Sequence, residues 1–166
     1  MKNTTSPRAR APGRREQRTP LRHGDPYRDT AKEPGTAACP RCGSTYHAGR
    51  WTWNAAPEGA ESRTCPACQR IEQKLPAGYV SIGGPFFAAH RDEVLRLVGA
   101  VERREREAHP LQRVIAIEDR AGGALVTTTD AHLARGLAVA LHDAFKGELE
   151  LQFAKDENAV RAWWKR

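Results

Sequence analysis

From about Arg91 to Glu107 apolar residues recur at helical spacing, with Val94, Leu95, Val98 and Val101 on one face and Pro110 just beyond the last turn. Two β-branched runs follow, RVIAIED over 113–119 and ALVTTT over 124–129, and the DRAGG between them supplies the glycines of a hairpin turn. Thr129 or Asp130 is placed to cap a helix over 131–145, whose stripe is Leu133, Leu137 and Leu141 with Ala140 and Ala144. Gly147 ends that helix. ELELQFA then alternates, with Leu149, Leu151 and Phe153 on one face. In the last run, AVRAWWKR, Val160, Ala162 and Trp164 share one side and Arg161, Trp163 and Lys165 the other. The pattern over 87–166 is therefore α-β-β-α-β-β. It predicts an α+β two-layer domain with a mostly antiparallel sheet covered on one face by two helices. No internal repeat is visible.

Upstream the pattern changes twice. Residues 76–86, PAGYVSIGGPF, are punctuated by proline and glycine and read as a linker. Residues 37–75 hold all four cysteines of the chain. Residues 1–36 show no apolar periodicity and are rich in Arg, Pro, Thr and Gly, a composition that predicts a disordered arm.

Charge sharpens this division. The chain of 166 residues carries a net +7, and residues 1–28 account for +6 of it, through Lys2, Arg8, Arg10, Arg14, Arg15, Arg18, Arg22 and Arg28 against Glu16 and Asp25. The remaining 138 residues contribute +1. The positive field belongs to the arm, which reads either as a solubilising tail or as an element that docks on a polyanion. No stretch resembles a signal peptide or a membrane span, so a cytoplasmic protein is expected.

In a reducing compartment, cysteines grouped in pairs read as metal ligands rather than disulfides. Cys39 and Cys42 form one Cys-x-x-Cys knuckle and Cys65 and Cys68 the other, with Pro40 and Pro66 at the same position in each. Four thiolates around a tetrahedral ion make a closed structural Zn²⁺ site, here in a zinc ribbon too small to fold on its own core. Iron would take the same ligands, but nothing nearby supports a redox role. His47, five residues past Cys42, reads as a strand residue rather than a further ligand.

Trp51 and Trp53 follow the first knuckle beside Arg50. One reading has the two indoles roofing the ribbon; the other makes them a stacking platform for unpaired bases. Trp163, between Arg161 and Lys165, poses the same choice. His90, His109, His132 and His142 lack partner motifs, and no phosphate loop, nucleophile elbow or zincin pattern is present, so no enzyme is expected.

The strings CPRCG, HAGRWTW and CPAC, then FFAAHRDEVLRLV, TTTDAHLA and a terminal VRAWWKR, resemble a family of small bacterial zinc-ribbon proteins. That family is similar to the amino-terminal part of the nonsense-mediated-decay type three adaptor, which serves export of the large ribosomal subunit in archaea and eukaryotes. The resemblance covers roughly residues 25–166 and carries over Cys39, Cys42, Cys65 and Cys68 as zinc ligands. It implies binding to RNA of the large subunit, with possible ribosomal protein contacts. The chain departs from the adaptor in having cysteines for one zinc site and no long carboxy-terminal extension, so export does not carry over. The expected function is a non-enzymatic, zinc-binding, ribosome-associated RNA-binding protein acting in assembly, hibernation or quality control. Its expected RNA contacts are Arg8, Arg10, Arg14, Arg15, Arg18, Arg22, Arg28, Arg50, Trp51, Trp53, Arg161, Trp163 and Lys165. The alternative is a zinc-ribbon adaptor that holds a protein partner without touching RNA.

Overall fold

The computed structural model describes residues 35–154 and 159–166. Nearly all of the arm read over 1–36, including its seven arginines proposed to contact RNA, lies outside the described residues. The first described module is a small sheet of β1 (Ala37–Ala38), β2 (Thr45–His47), β3 (Arg50–Thr52) and β4 (Glu61–Ser62), in the order β3-β2-β1-β4. Ala48 and Gly49, at φ 48° and 82°, make the tight turn between β2 and β3. A helix, α1 (Pro66–Gln73), closes the module; Pro66 stands in its first turn and Lys74, in the left-handed region at φ 51°, ends it.

The second module begins earlier than its composition suggests. Residues 78–83, read from sequence as part of a linker, are β5 (Gly78–Gly83), the central strand of the larger sheet. Then come α2 (Pro85–Ala89), α3 (Arg91–Ala108), β6 (Val114–Arg120), β7 (Gly123–Thr128), α4 (Ala131–Phe145), β8 (Glu148–Ala154) and β9 (Ala159–Lys165). Strand order is β6-β7-β5-β9-β8, with β5 and β9 parallel and every other pair antiparallel. The expected α-β-β-α-β-β order is thus corrected by one strand and a short helix at its start. The sheet is mixed, with the expected β6–β7 hairpin and the antiparallel β8–β9 pair flanking the parallel centre.

The glycines of β5 explain the misreading. A Cβ on Gly78 would lie 2.3 Å from Thr128 Oγ1 and 2.4 Å from Ala134 Cβ. Glycine stands there because α4 and β7 approach the backbone closely, not because the chain turns. Between the glycines the strand alternates, and Val80 and Ile82 are buried.

Val80 and Ile82 meet Val126, Ala124, Ala162 and Trp164 across the sheet, and against them pack Val94, Val98 and Val101 of α3 and Leu133, Leu137 and Leu141 of α4. Asp130 caps α4, its carboxylate accepting from the amides of His132 at 2.8 Å and Leu133 at 3.1 Å. Trp164 is fully buried and donates its indole N–H to the Lys146 carbonyl at 2.7 Å, satisfying the polar end of the largest core side chain. Phe153 keeps the expected face with Leu149 and Leu151, opposite Val160, but is 59% exposed at the far end of edge strand β8. No helix among the described residues is long and apolar enough to cross a membrane.

Candidate metal centre and the open sheet face

The four cysteines converge. Their Sγ atoms all lie within 4.8 Å of one another, and Cys42 Sγ and Cys65 Sγ are 3.7 Å apart. A tetrahedral ion with metal–sulfur bonds of about 2.3 Å would set its sulfurs about 3.8 Å apart, so the donor set and its spacing fit a four-thiolate site. All four thiols are free of disulfides.

Local backbone explains the convergence. In the first knuckle the Cys39 amide donates to the Ser44 carbonyl at 2.8 Å and the Gly43 amide to the Cys39 carbonyl at 2.9 Å, with Gly43 at φ 78°. The second knuckle is the start of a helix: Cys65 is the N-cap of α1, and its sulfur accepts from the Cys68 amide at 3.4 Å. Helix N-termini favour negative charge, so this is a suitable seat for thiolates. The Cys65 amide in turn donates to Cys39 Sγ at 3.3 Å, tying the knuckles together.

A residue from the second module completes the cluster. Arg113, only 5% exposed, donates from Nη2 to Cys42 Sγ at 3.0 Å and from Nη1 to Cys68 Sγ at 3.2 Å, with Cys65 Sγ 3.7 Å from Nη2. Its Nε donates to the Pro110 carbonyl at 2.7 Å. Burial opposes the charged guanidinium, but the hydrogen bonds to Cys42 and Cys68 outweigh it and hold Arg113 above the ordinary arginine value.

The sulfurs respond in opposite directions. For Cys42, burial pushes upward, yet hydrogen bonds from Ser44 and Arg113 prevail and bring it down to about 6. Burial, with the Cys42 and Cys68 charges beside it, pushes the Cys65 thiol up to about 12, and burial also raises Cys68. Thiols this close cannot all ionise unaided; a dication makes four thiolates compatible.

Trp51 and Trp53 do not form one shared platform. Trp51 is half-buried against the cysteine cluster, with its ring 5.5 Å from that of buried Tyr46 and the Arg63 guanidinium 6.0 Å away. Trp53 falls past the end of β3 and reaches the other module, donating its indole N–H to the Arg106 carbonyl at 2.6 Å. The Arg106 and Arg113 guanidinium carbons lie 5.7 Å and 5.8 Å from its ring. Arg50 is exposed beside the β2–β3 turn.

The last three expected contacts lie together on the side of the large sheet away from α3 and α4. One row across that face reads Glu118, Leu125, Ser81, Trp163 and Glu150, and the next Arg120, Gly123, Gly83, Lys165 and Glu148. Trp163 is 39% exposed. It borders a groove of about 620 Å³ that Ser81, Gly83, Gly123, Glu150 and Lys165 also line. Arg161 stacks on Tyr79, its guanidinium carbon 4.6 Å from the ring centre. Lys165 pairs with Glu148 at 2.9 Å, which raises its pKa, and Arg120 pairs with Glu118.

Sequence reasoning missed Arg113 and Tyr79. Arg113 is 45 residues from Cys68, and a cation opening an apolar run gives no local sign of a thiolate partner. Tyr79 was hidden within the segment read as a linker. The fold is thus an α+β arrangement of two mixed sheets with a four-cysteine cluster. No protein-family model, curated protein or solved structure matches the chain.

Proposed function

We propose that the protein is a zinc-binding, non-enzymatic RNA-binding protein that acts on the ribosome, with large-subunit RNA as its partner. Zinc is the reading for the metal because four converging thiolates suit its tetrahedral preference and leave no open position for a substrate or water. Bound zinc would hold the two knuckles together; the chain's own residues supply the recognition.

The observation that carries the RNA reading is the sheet face opposite α3 and α4, which no described helix covers, where Trp163 and the Tyr79–Arg161 pair lie beside a groove of about 620 Å³. Aromatic rings on an open sheet accept unpaired bases by stacking, and arginine adds planar contact with bases and bidentate contact with phosphate. That face is close to neutral, since Arg120, Arg161 and Lys165 are matched by Glu118, Glu148 and Glu150. The electrostatic share of binding is therefore assigned to residues 1–28, with their net +6. The same neutrality favours the adaptor as second reading, with the sheet face holding a protein partner.

Sedimentation of cell lysate through a density gradient, with and without RNase, separates the two readings. Comigration with ribosomal particles that RNase abolishes supports RNA binding. Retention of a partner after RNase supports the adaptor.

A further inference from the structure

The cysteines all belong to the first module, yet a cationic side chain buried against them, Arg113, comes from the second. Arg113 sits in the link between α3 and β6; among the described residues its guanidinium donates to three sulfurs and the Pro110 carbonyl and lies near the Trp53 ring, with no carboxylate hydrogen-bonded to it. A guanidinium at 5% exposure is costly to bury without counter-charge. Four thiolates around a dication leave a net charge of about −2, so the loaded centre supplies that counter-charge.

The same link is anchored in the second module. The Arg113 amide donates to Thr129 Oγ1 at 2.9 Å, the Thr129 hydroxyl donates to the Leu111 carbonyl at 2.6 Å, and the Thr129 amide donates to the Arg113 carbonyl at 2.9 Å. The next residue, Asp130, caps α4. Two further contacts fall on this stretch: Leu111 packs on the cysteine cluster, and Trp53 donates to the Arg106 carbonyl. Segment 106–113 thus carries an ion–thiolate contact, an apolar contact and an indole hydrogen bond to the first module.

We propose that the metal centre is a clasp between the two modules, with Arg113 as its positioning residue. This goes beyond a structural metal that folds a ribbon, though it rests on the reading that a metal is bound. While the metal gathers the sulfurs, Arg113 is neutralised and the ribbon is held against the end of α3. Once the metal leaves, nothing gathers the four sulfurs as thiolates, the charge of about −2 facing the buried guanidinium falls, and segment 106–113 is released with Trp53.

Hydrogen exchange on the full chain tests this, with zinc bound and after chelation, in wild type and in Arg113→Met and Arg113→Lys. In wild type, chelation is expected to speed exchange in residues 104–113 by about tenfold or more, in addition to opening residues 37–75. Loaded Arg113→Met should show the same fast exchange over 104–113 while 37–75 stay protected. It should bind zinc about 10–100-fold more weakly, as removal of an outer partner of metal ligands commonly does. Arg113→Lys, with its charge but no fork, should fall between the two. A merely structural arginine would give fast exchange over 104–113 in Arg113→Met but leave that segment of wild type unchanged on chelation. Unchanged exchange over 104–113 on chelation of wild type overturns the clasp, and this arm needs no variant to fold. Zinc affinity of Arg113→Met within about twofold of wild type also overturns it. A chain that binds no metal at all removes the metal centre and the clasp together, which keeps the two failures distinct.

Discussion

Gly78 and Asp130 are single positions where the fold makes a sharp demand. An alanine at 78 would place its Cβ within 2.4 Å of both Thr128 Oγ1 and Ala134 Cβ, so α4 or β7 must shift. Gly78→Ala is expected to lower stability by about 1–3 kcal/mol, read as a lower urea midpoint at unchanged slope. Asp130→Ala removes two capping bonds and should cost about 1 kcal/mol by the same measurement. Trp163→Ala addresses function: loss of a stacked base should weaken binding to single-stranded RNA by about 1–3 kcal/mol, with little change in salt dependence. At this scale legibility followed locality. The cysteines were legible because a Cys-x-x-Cys knuckle declares its geometry within four residues. Asp130 was legible because a cap acts on the next three amides. Arg113 was not, since its sulfur partners are 45 to 71 residues away. Trp53 was half legible: its place near the ribbon could be read, its bond to Arg106 could not.

Elements were legible where their pattern is complete in itself. The helix over 131–145 and the alternating strand over 148–154 stand as read, because amphipathic periodicity encodes which face is buried. β5 was missed because a central strand under a tightly packed helix needs glycine at the point of contact, and glycine also marks turns. α1 was missed because its first turn is occupied by the second knuckle. Burial of that knuckle has a chemical consequence. With Cys65 pushed up to about 12 and Cys68 also raised, both thiols carry protons near neutral pH in the metal-free site. Metal must displace those protons, so binding is favoured by rising pH and opposed by falling pH. With at least two protons displaced, the apparent affinity falls about a hundredfold or more for each pH unit lowered near neutrality. Competition with a chelator at several pH values measures that slope; a flat profile would count against thiolate ligation. Cys65→Ser removes a ligand and the α1 N-cap together, and should open residues 37–75 while the core of the second sheet persists.

At the scale of the whole molecule, the order of strands in the larger sheet was not legible. Pairing of β5 with β9 joins residues about eighty positions apart, and no local pattern specifies it. The division of charge between an N-terminal segment and a nearly neutral body was legible from composition and sets a further expectation. If residues 1–28 grip phosphates through about five of their eight cations, log affinity for single-stranded RNA should fall against log salt with a slope of roughly −3.5. Deleting residues 1–28 should remove most of that slope and weaken all sequences alike, because phosphate contacts position rather than specify. An unchanged slope would move the adaptor reading ahead. Beneath these functional expectations lies the claim that four cysteines hold one zinc ion and that the ribbon depends on it. Native mass spectrometry of the purified chain, paired with elemental analysis, addresses that claim directly. The account predicts one zinc per chain in wild type and its loss in Cys65→Ser; a metal-free wild type, or iron at one per chain without added iron, would contradict it.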